Sequence, residues 1–201
     1  MFLKSPPALF LASTSSYRRA LLTRVHDSFQ CEAPGVEEAR LEGESGQTMV
    51  GRLARAKAEA VAARHPDAWV IGSDQAALLG AGSAEQILGK PGTEARCRDQ
   101  LRRCSGQTIV FLTAVAVLRR RDAAVFEFLD TTRVRFRTLD EATIARYVAR
   151  ESPLDCAGGF KAEALGIALC ESIDSVDPSA LIGLPLIRLC GVLREAGFEL
   201  P

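Results

Sequence analysis

Two long apolar runs, Thr108 to Leu118 and Ala124 to Phe136, constrain the fold of this chain most, because little more than Arg119-Arg120-Arg121-Asp122 separates them. Both runs are rich in Val, Phe and Thr, the residues that suit a pleated, half-buried surface. A short polar break between two such runs is the pattern of an antiparallel hairpin, so a purely parallel sheet is disfavoured. Leu9-Phe10-Leu11 and Trp69 to Gly72 read as short buried strands, the second ending in Ser73-Asp74-Gln75, and Ser28 to Cys31 reads as a third. Gly80 to Ser83 reads as a hairpin tip or loop. Thr48 to Arg64 carries Met49, Val50, Leu53, Ala56, Ala60 and Val61 at helical spacing, and His65-Pro66 closes it. Further helices are expected over Thr93 to Arg103, with Thr93 as N-cap, and over Leu139 to Arg150. The last helix starts at Gly183-Leu184-Pro185 and runs to about Ala196, with Gly197 as its C-cap. The expected architecture is α/β, a mixed sheet with flanking helices, in one domain spanning residues 1–201.

Composition removes several functions. The 25 basic residues are balanced by 25 acidic ones, so no global field draws in nucleic acid or an anionic membrane. The alternating Arg133, Arg135 and Arg137 are read as a solvated strand face, and an RNA-binding module is disfavoured. No apolar run approaches the roughly 20 residues of a membrane helix. Lys4 and the short apolar run behind Pro6-Pro7 make a poor signal peptide, so the expected compartment is the cytoplasm. None of the six cysteines is in a C-x-x-C pair and there are two histidines. A structural zinc site is poorly supported, and buried reduced thiols are the default reading. Among the 25 basic residues only Lys4, Lys57, Lys90 and Lys161 are lysine. Lysine is a compact point charge suited to phosphate.

Leu9 to Leu22 runs from apolar residues through Ser13-Thr14-Ser15-Ser16 into a helix with Arg18 and Arg19 in its first turn. Free backbone N–H groups, hydroxyls and guanidinium groups could converge there on one phosphate; a capped helix with solvated arginines is the plainer account. The residues placed in turns or at strand ends that could share a cleft with it are Ser13, Arg18, Glu38, Lys57, Asp74, Lys90, Lys161 and Glu163. Cations of this kind hold phosphate, while one or two carboxylates plus substrate phosphates are the usual donors to magnesium. The chain has neither G-x-x-x-x-G-K-[ST] nor G-x-G-x-x-G, so P-loop and dinucleotide-binding readings fall away.

Eight motifs in order resemble the Maf-like nucleoside triphosphate pyrophosphatases. They are Leu-Ala-Ser-Thr-Ser-x-x-Arg-Arg (11–19), Val-Glu-Glu (36–38), Leu-Ala-Arg-x-Lys-Ala (53–58), Gly-Ser-Asp-Gln (72–75), Gly-Lys-Pro (89–91), Ser-Gly-Gln-Thr (105–108), Ala-Gly-Gly-Phe-Lys-x-Glu (157–163) and Ile-Gly-Leu-Pro-Leu (182–186). The resemblance implies an inosine-triphosphatase-like fold with a central cleft. It also implies hydrolysis of a nucleoside triphosphate to the monophosphate and pyrophosphate with a divalent metal, magnesium or manganese. In that pattern Asp74 is the proton acceptor, and Ser13, Arg18, Lys57 and Lys90 contact phosphate. Glu38 falls on a carboxylate position and would hold a metal together with phosphate oxygens, with Asp74 as a metal ligand the alternative to its role as base. Tyr17, Gln75 and Glu163 fall on positions tied to substrate choice. Asp-Gln and Phe-Lys-x-Glu look like the branch acting on 7-methyl-GTP, with the dTTP/UTP branch second and a non-catalytic nucleotide-binding regulator of cell division third. The chain departs from the pattern at Ser16 (proline expected), Tyr17 (tryptophan), Gly159 (serine) and Thr113-Ala114 (Thr-Gly). A nucleoside triphosphate is the partner expected, with no nucleic acid or membrane; a homodimer is left open.

Overall fold

The computed structural model describes residues 7–80, 82 and 85–200. Lys4 and, from the expected hairpin tip, Ala81 and Ser83 lie outside them. Among the described residues one seven-stranded sheet organises the chain: β1 (Leu9–Leu11), β2 (Gln30–Cys31), β3 (Trp69–Leu79), β4 (Gln86–Leu88), β5 (Thr108–Arg119), β6 (Ala124–Phe136) and β7 (Cys170–Asp174). The spatial order is β2-β1-β3-β5-β6-β7, and β4 pairs with β3 off that path. β1 is parallel to β2 and β3, whereas the β3–β5, β5–β6 and β6–β7 pairs are antiparallel. The hairpin expected from the two apolar runs is β5–β6, in register from Thr108↔Arg135 to Arg119↔Ala124. The sheet is mixed, as expected.

Alternation along the strands sorts the core. Phe10, Val70, Ala76 and Leu78 face α2 (Gly46–Ala62) and meet its Val50, Leu53, Ala54 and Ala58. Leu9, Leu11, Ile71, Val115 and Val117 point the other way. They pack on Leu21 and Leu22 of α1 (Ser16–Thr23) and on Leu189 and Leu193 of α5 (Leu186–Glu195). α3 (Glu94–Cys104) and α4 (Glu141–Glu151) cover Ile109, Phe111, Val134 and Phe136 with Leu101, Ile144 and Val148. The caps follow the sequence chemistry: Ser15, Ser45, Thr93 and Asp140 each accept a backbone N–H of the helix they begin.

Three expectations need correcting. The strand beginning at Trp69 does not end before Ser73. It continues to Leu79, so Asp74 is a mid-strand residue paired with Ala114. The polar triplet breaks the apolar pattern, but the β5 ladder holds it extended. Gly183-Leu184-Pro185 precedes the last helix, which starts at Leu186 after a single 3₁₀ turn at Ala180–Ile182. Cys31 is exposed rather than buried, and all six cysteines are free thiols.

Gly72 sets the distance between α2 and the sheet. A Cβ there would lie 2.2 Å from the Ala54 carbonyl oxygen and 2.6 Å from the Ala58 nitrogen. Only glycine permits this approach, and it brings Lys57, one turn along α2, onto the strand carrying Asp74.

Candidate active site

A cavity of about 640 Å³ opens between α1, the 33–38 segment, α2, the middle of β3, the Gly89-Lys90 turn and the 155–163 loop. Its size is that of a small-molecule site. Ser13, Arg18, Glu38, Lys57, Asp74, Lys90 and Glu163 line it, so seven of the eight cleft candidates converge, and Tyr17 and Gln75 line it as well. Lys161 does not. Its ammonium is 3.0 Å from Glu151 on α4 and 5.4 Å from the ring centre of Tyr17, where it is a cation against an aromatic face.

At the centre Lys57 bridges two carboxylates, donating to Asp74 Oδ1 at 2.7 Å and standing 2.5 Å from Glu38 Oε1. The lysine and aspartate side chains are 6% and 11% exposed, while that of Glu38 is 57% exposed. Asp74 is therefore a desolvated carboxylate with one cation beside it. Burial raises it above the usual carboxylate range, and neighbouring Glu38 adds to that, against the pull of Lys57 and Arg18. Glu38 also feels burial, but Lys57, and more distantly Lys90 and Arg18, outweigh it and hold the carboxyl below its usual range. For Arg18 burial lowers the value, opposed by Asp74 and Glu38.

Helix α1 holds its phosphate candidates as a capped N-terminus. Ser13 Oγ accepts from Ser15 N at 3.1 Å and Ser15 Oγ from Arg18 N at 3.3 Å. Free amides, a buried Ser13 and the Arg18 guanidinium thus face one space. Glu38 is placed by a second device. Buried Glu44 accepts from Arg52 Nε at 2.6 Å and Nη2 at 2.7 Å, and from Leu41 N at 3.1 Å, while Arg52 Nη2 also donates to the Ala39 carbonyl.

Of the substrate-choice residues, Tyr17 and exposed Glu163 stand at the cavity with Asp155 and Cys156. Gln75 is committed elsewhere. Its amide nitrogen donates to Thr113 Oγ1 at 2.9 Å and to the Ala180 and Leu181 carbonyls at 3.0 and 3.1 Å. Sequence reasoning passed over Ser73, Asp155, Gly183 and the Glu44–Arg52 pair. The first three lie in or beside quoted motifs, but their work is set by contacts from distant parts of the chain.

The donor set can be tested against the implied metal. Among the described residues no group of three His, Cys, Asp or Glu side chains could hold an ion. Two carboxylates do meet, at Lys57. Such a pair fits a hard cation that draws its remaining ligands from phosphate and water, not one caged by protein. No helix among the described residues is long and apolar enough to cross a membrane.

The sequence profile of the Maf-like protein family matches residues 8–196. The 7-methyl-GTP pyrophosphatase of Alkalilimnicola ehrlichii is 55% identical over 198 residues, covering 96% of each chain. Proteins of the same name from Xanthomonas campestris and Pseudomonas aeruginosa are 51% and 49% identical, covering 97% of this chain and 99% and 100% of theirs. The structure of the Staphylococcus aureus Ham1 protein matches with a TM-score of 0.46 and 14% identity over 65% of this chain and 72% of that one.

Proposed function

The chain belongs to the Maf-like family, and we propose that it is a nucleoside triphosphate pyrophosphatase that hydrolyses 7-methyl-GTP to 7-methyl-GMP and pyrophosphate. The observation that carries the reading is the buried Lys57–Asp74 pair with Glu38, in the same cavity as Ser13, Arg18 and Lys90. Arg18 and Lys90, with the α1 amides, bind and orient the triphosphate. Lys57 takes Asp74 Oδ1, which leaves Oδ2 to accept a proton from water. That water oxygen bonds to the α-phosphorus, the bond from the α-phosphorus to the bridging oxygen breaks, and pyrophosphate departs with the electron pair. A divalent cation held by Glu38 and phosphate oxygens would supply further neutralisation of the triphosphate charge. A carboxylate raised above its usual range is a better proton acceptor than an ordinary one.

The choice of base rests on Tyr17, Asp155 and Glu163 at the cavity. N7-methylated guanine carries ring charge, which an aromatic face and carboxylates favour. Lys161 stands against Tyr17, so a cationic base would use the ring's opposite face. The names of the relatives support the same substrate. Six free thiols support a reducing compartment, the cytoplasm. The test is pyrophosphate release from 7-methyl-GTP, GTP, dTTP and UTP, with magnesium or manganese and with chelator. Highest kcat/KM on 7-methyl-GTP is expected. Faster turnover of dTTP or UTP overturns the substrate assignment, and release undiminished by chelator overturns the metal.

A further inference from the structure

On the face of β3 opposite Asp74, three buried or half-buried polar side chains grip one short turn. Ser73 Oγ, fully buried, donates to the Gly183 carbonyl at 3.0 Å. Gln75 donates to the Ala180 and Leu181 carbonyls, and Thr113 Oγ1, on neighbouring β5, donates to the Ala180 carbonyl at 2.9 Å. Buried Asp177 closes the turn from behind. Its carboxylate accepts from the Ser179 amide at 2.9 Å, the Ser179 hydroxyl at 2.5 Å and the Ile187 amide at 2.6 Å. Such dense hydrogen bonding on a single 3₁₀ turn exceeds what chain connection needs. Its product is the position of one acceptor, the Gly183 carbonyl oxygen.

That oxygen has a second donor, Arg18 Nε at 3.0 Å. Gly183 has φ +124°, and a Cβ there would stand 3.3 Å from Arg18 Nε and 3.5 Å from its Cγ, so the arginine lies flat against the glycine backbone. With Nε held, the planar fork is fixed in orientation and its two terminal nitrogens remain free to meet phosphate oxygens. We propose that Ser73, Gln75 and Thr113 are positioning residues for Arg18, acting through the Gly183 carbonyl of the Ala180–Gly183 turn. The strand therefore serves the reaction with both faces: Asp74 stands on one, and the other aims the phosphate-binding arginine. Gln75, read from the resemblance as a substrate-choice residue, acts here through the turn. The proposal rests on the pyrophosphatase reading.

The test is a double-mutant cycle in the full chain, read as kcat and KM for pyrophosphate release and as Tm. Ser73→Ala is expected to lower kcat/KM about tenfold, mostly in kcat, since a misplaced group of this kind costs up to about 100-fold. Arg18→Lys keeps the charge but has no Nε to hold. In that background Ser73→Ala is expected to change kcat/KM by less than about twofold, as coupled sites require. Thr113→Val, at a residue that does not itself line the cavity, is expected to behave the same way and carries the test if Ser73→Ala does not fold. An equal loss in both backgrounds makes the contacts merely structural and overturns the proposal, as does full activity of the single variants. A wild-type protein that releases no pyrophosphate overturns the pyrophosphatase reading itself, and the proposal with it.

Discussion

Replacing Lys57 by methionine isolates the energetics of the site. Methionine keeps most of the apolar stem among its neighbours on α2 and deletes the ammonium 2.7 Å from Asp74. Removing one partner of a buried pair costs about 3–5 kcal/mol, because a desolvated charge is left behind. The Glu38 half contributes little, since that side chain is 57% exposed and exposed pairs are worth about 0–1 kcal/mol. A ceiling also applies, because Asp74 can escape by taking a proton. From an ordinary value of 3.8, escape costs about 1.4 kcal/mol per pH unit, hence about 4 kcal/mol at pH 7 and about 1.6 at pH 5. The expected loss is therefore about 3 kcal/mol at pH 7, a Tm drop of about 6–12 °C for a chain of this size. At pH 5 it shrinks below about 1.6 kcal/mol. Urea denaturation at the two pH values measures both. Adding Asp74→Asn to Lys57→Met should recover most of the loss at pH 7. A loss equal at pH 5 and 7, or additive effects of the two substitutions, would refute a pair in which the lysine offsets a buried carboxylate.

Asp74→Asn alone should lower pyrophosphate release by about 10²–10⁴ with the fold retained by circular dichroism. Wild-type activity should rise with pH through a value above the usual carboxylate range, a limb missing from the residual activity of the variant. Because the folded-state value is raised, the stability linked to this group is fullest below 3.8 and is lost as pH rises through the folded value. Glu44 has the opposite sign. Its contacts with Arg52 hold it at about 2 against an ordinary 4.5, so its contribution is present above pH 4.5 and lost as pH falls through about 2. Glu44→Gln should accordingly flatten acid unfolding measured between pH 6 and 2. Gly72→Ala should destabilise by about 3 kcal/mol or more, since the added Cβ would meet α2 backbone at 2.2 Å. It should also lower kcat by moving Lys57 from Asp74, and a Tm and kcat near wild type would show that α2 does not rest on that glycine.

Local chemistry alone determined much of this protein. Periodicity marked the β5–β6 hairpin and the body of α2, and Thr93 at an N-cap needs nothing beyond its own neighbours. The ordered motifs also named most of the cleft, because the residue types that hold phosphate are few. Tertiary structure alone decided what each group does there. Asp74 looked like a strand-end residue until the β5 ladder carried β3 past it. Lys161 looked like a third phosphate lysine, but Glu151 on α4 holds it outside the cavity. Gln75 reaches across 105 positions to Ala180, and Arg18 across 165 to Gly183. Partners that remote leave no periodic trace in a sequence. Whether a hydroxyl caps a helix is settled within one turn of chain, whereas whether it aims an arginine depends on which segments the sheet brings side by side.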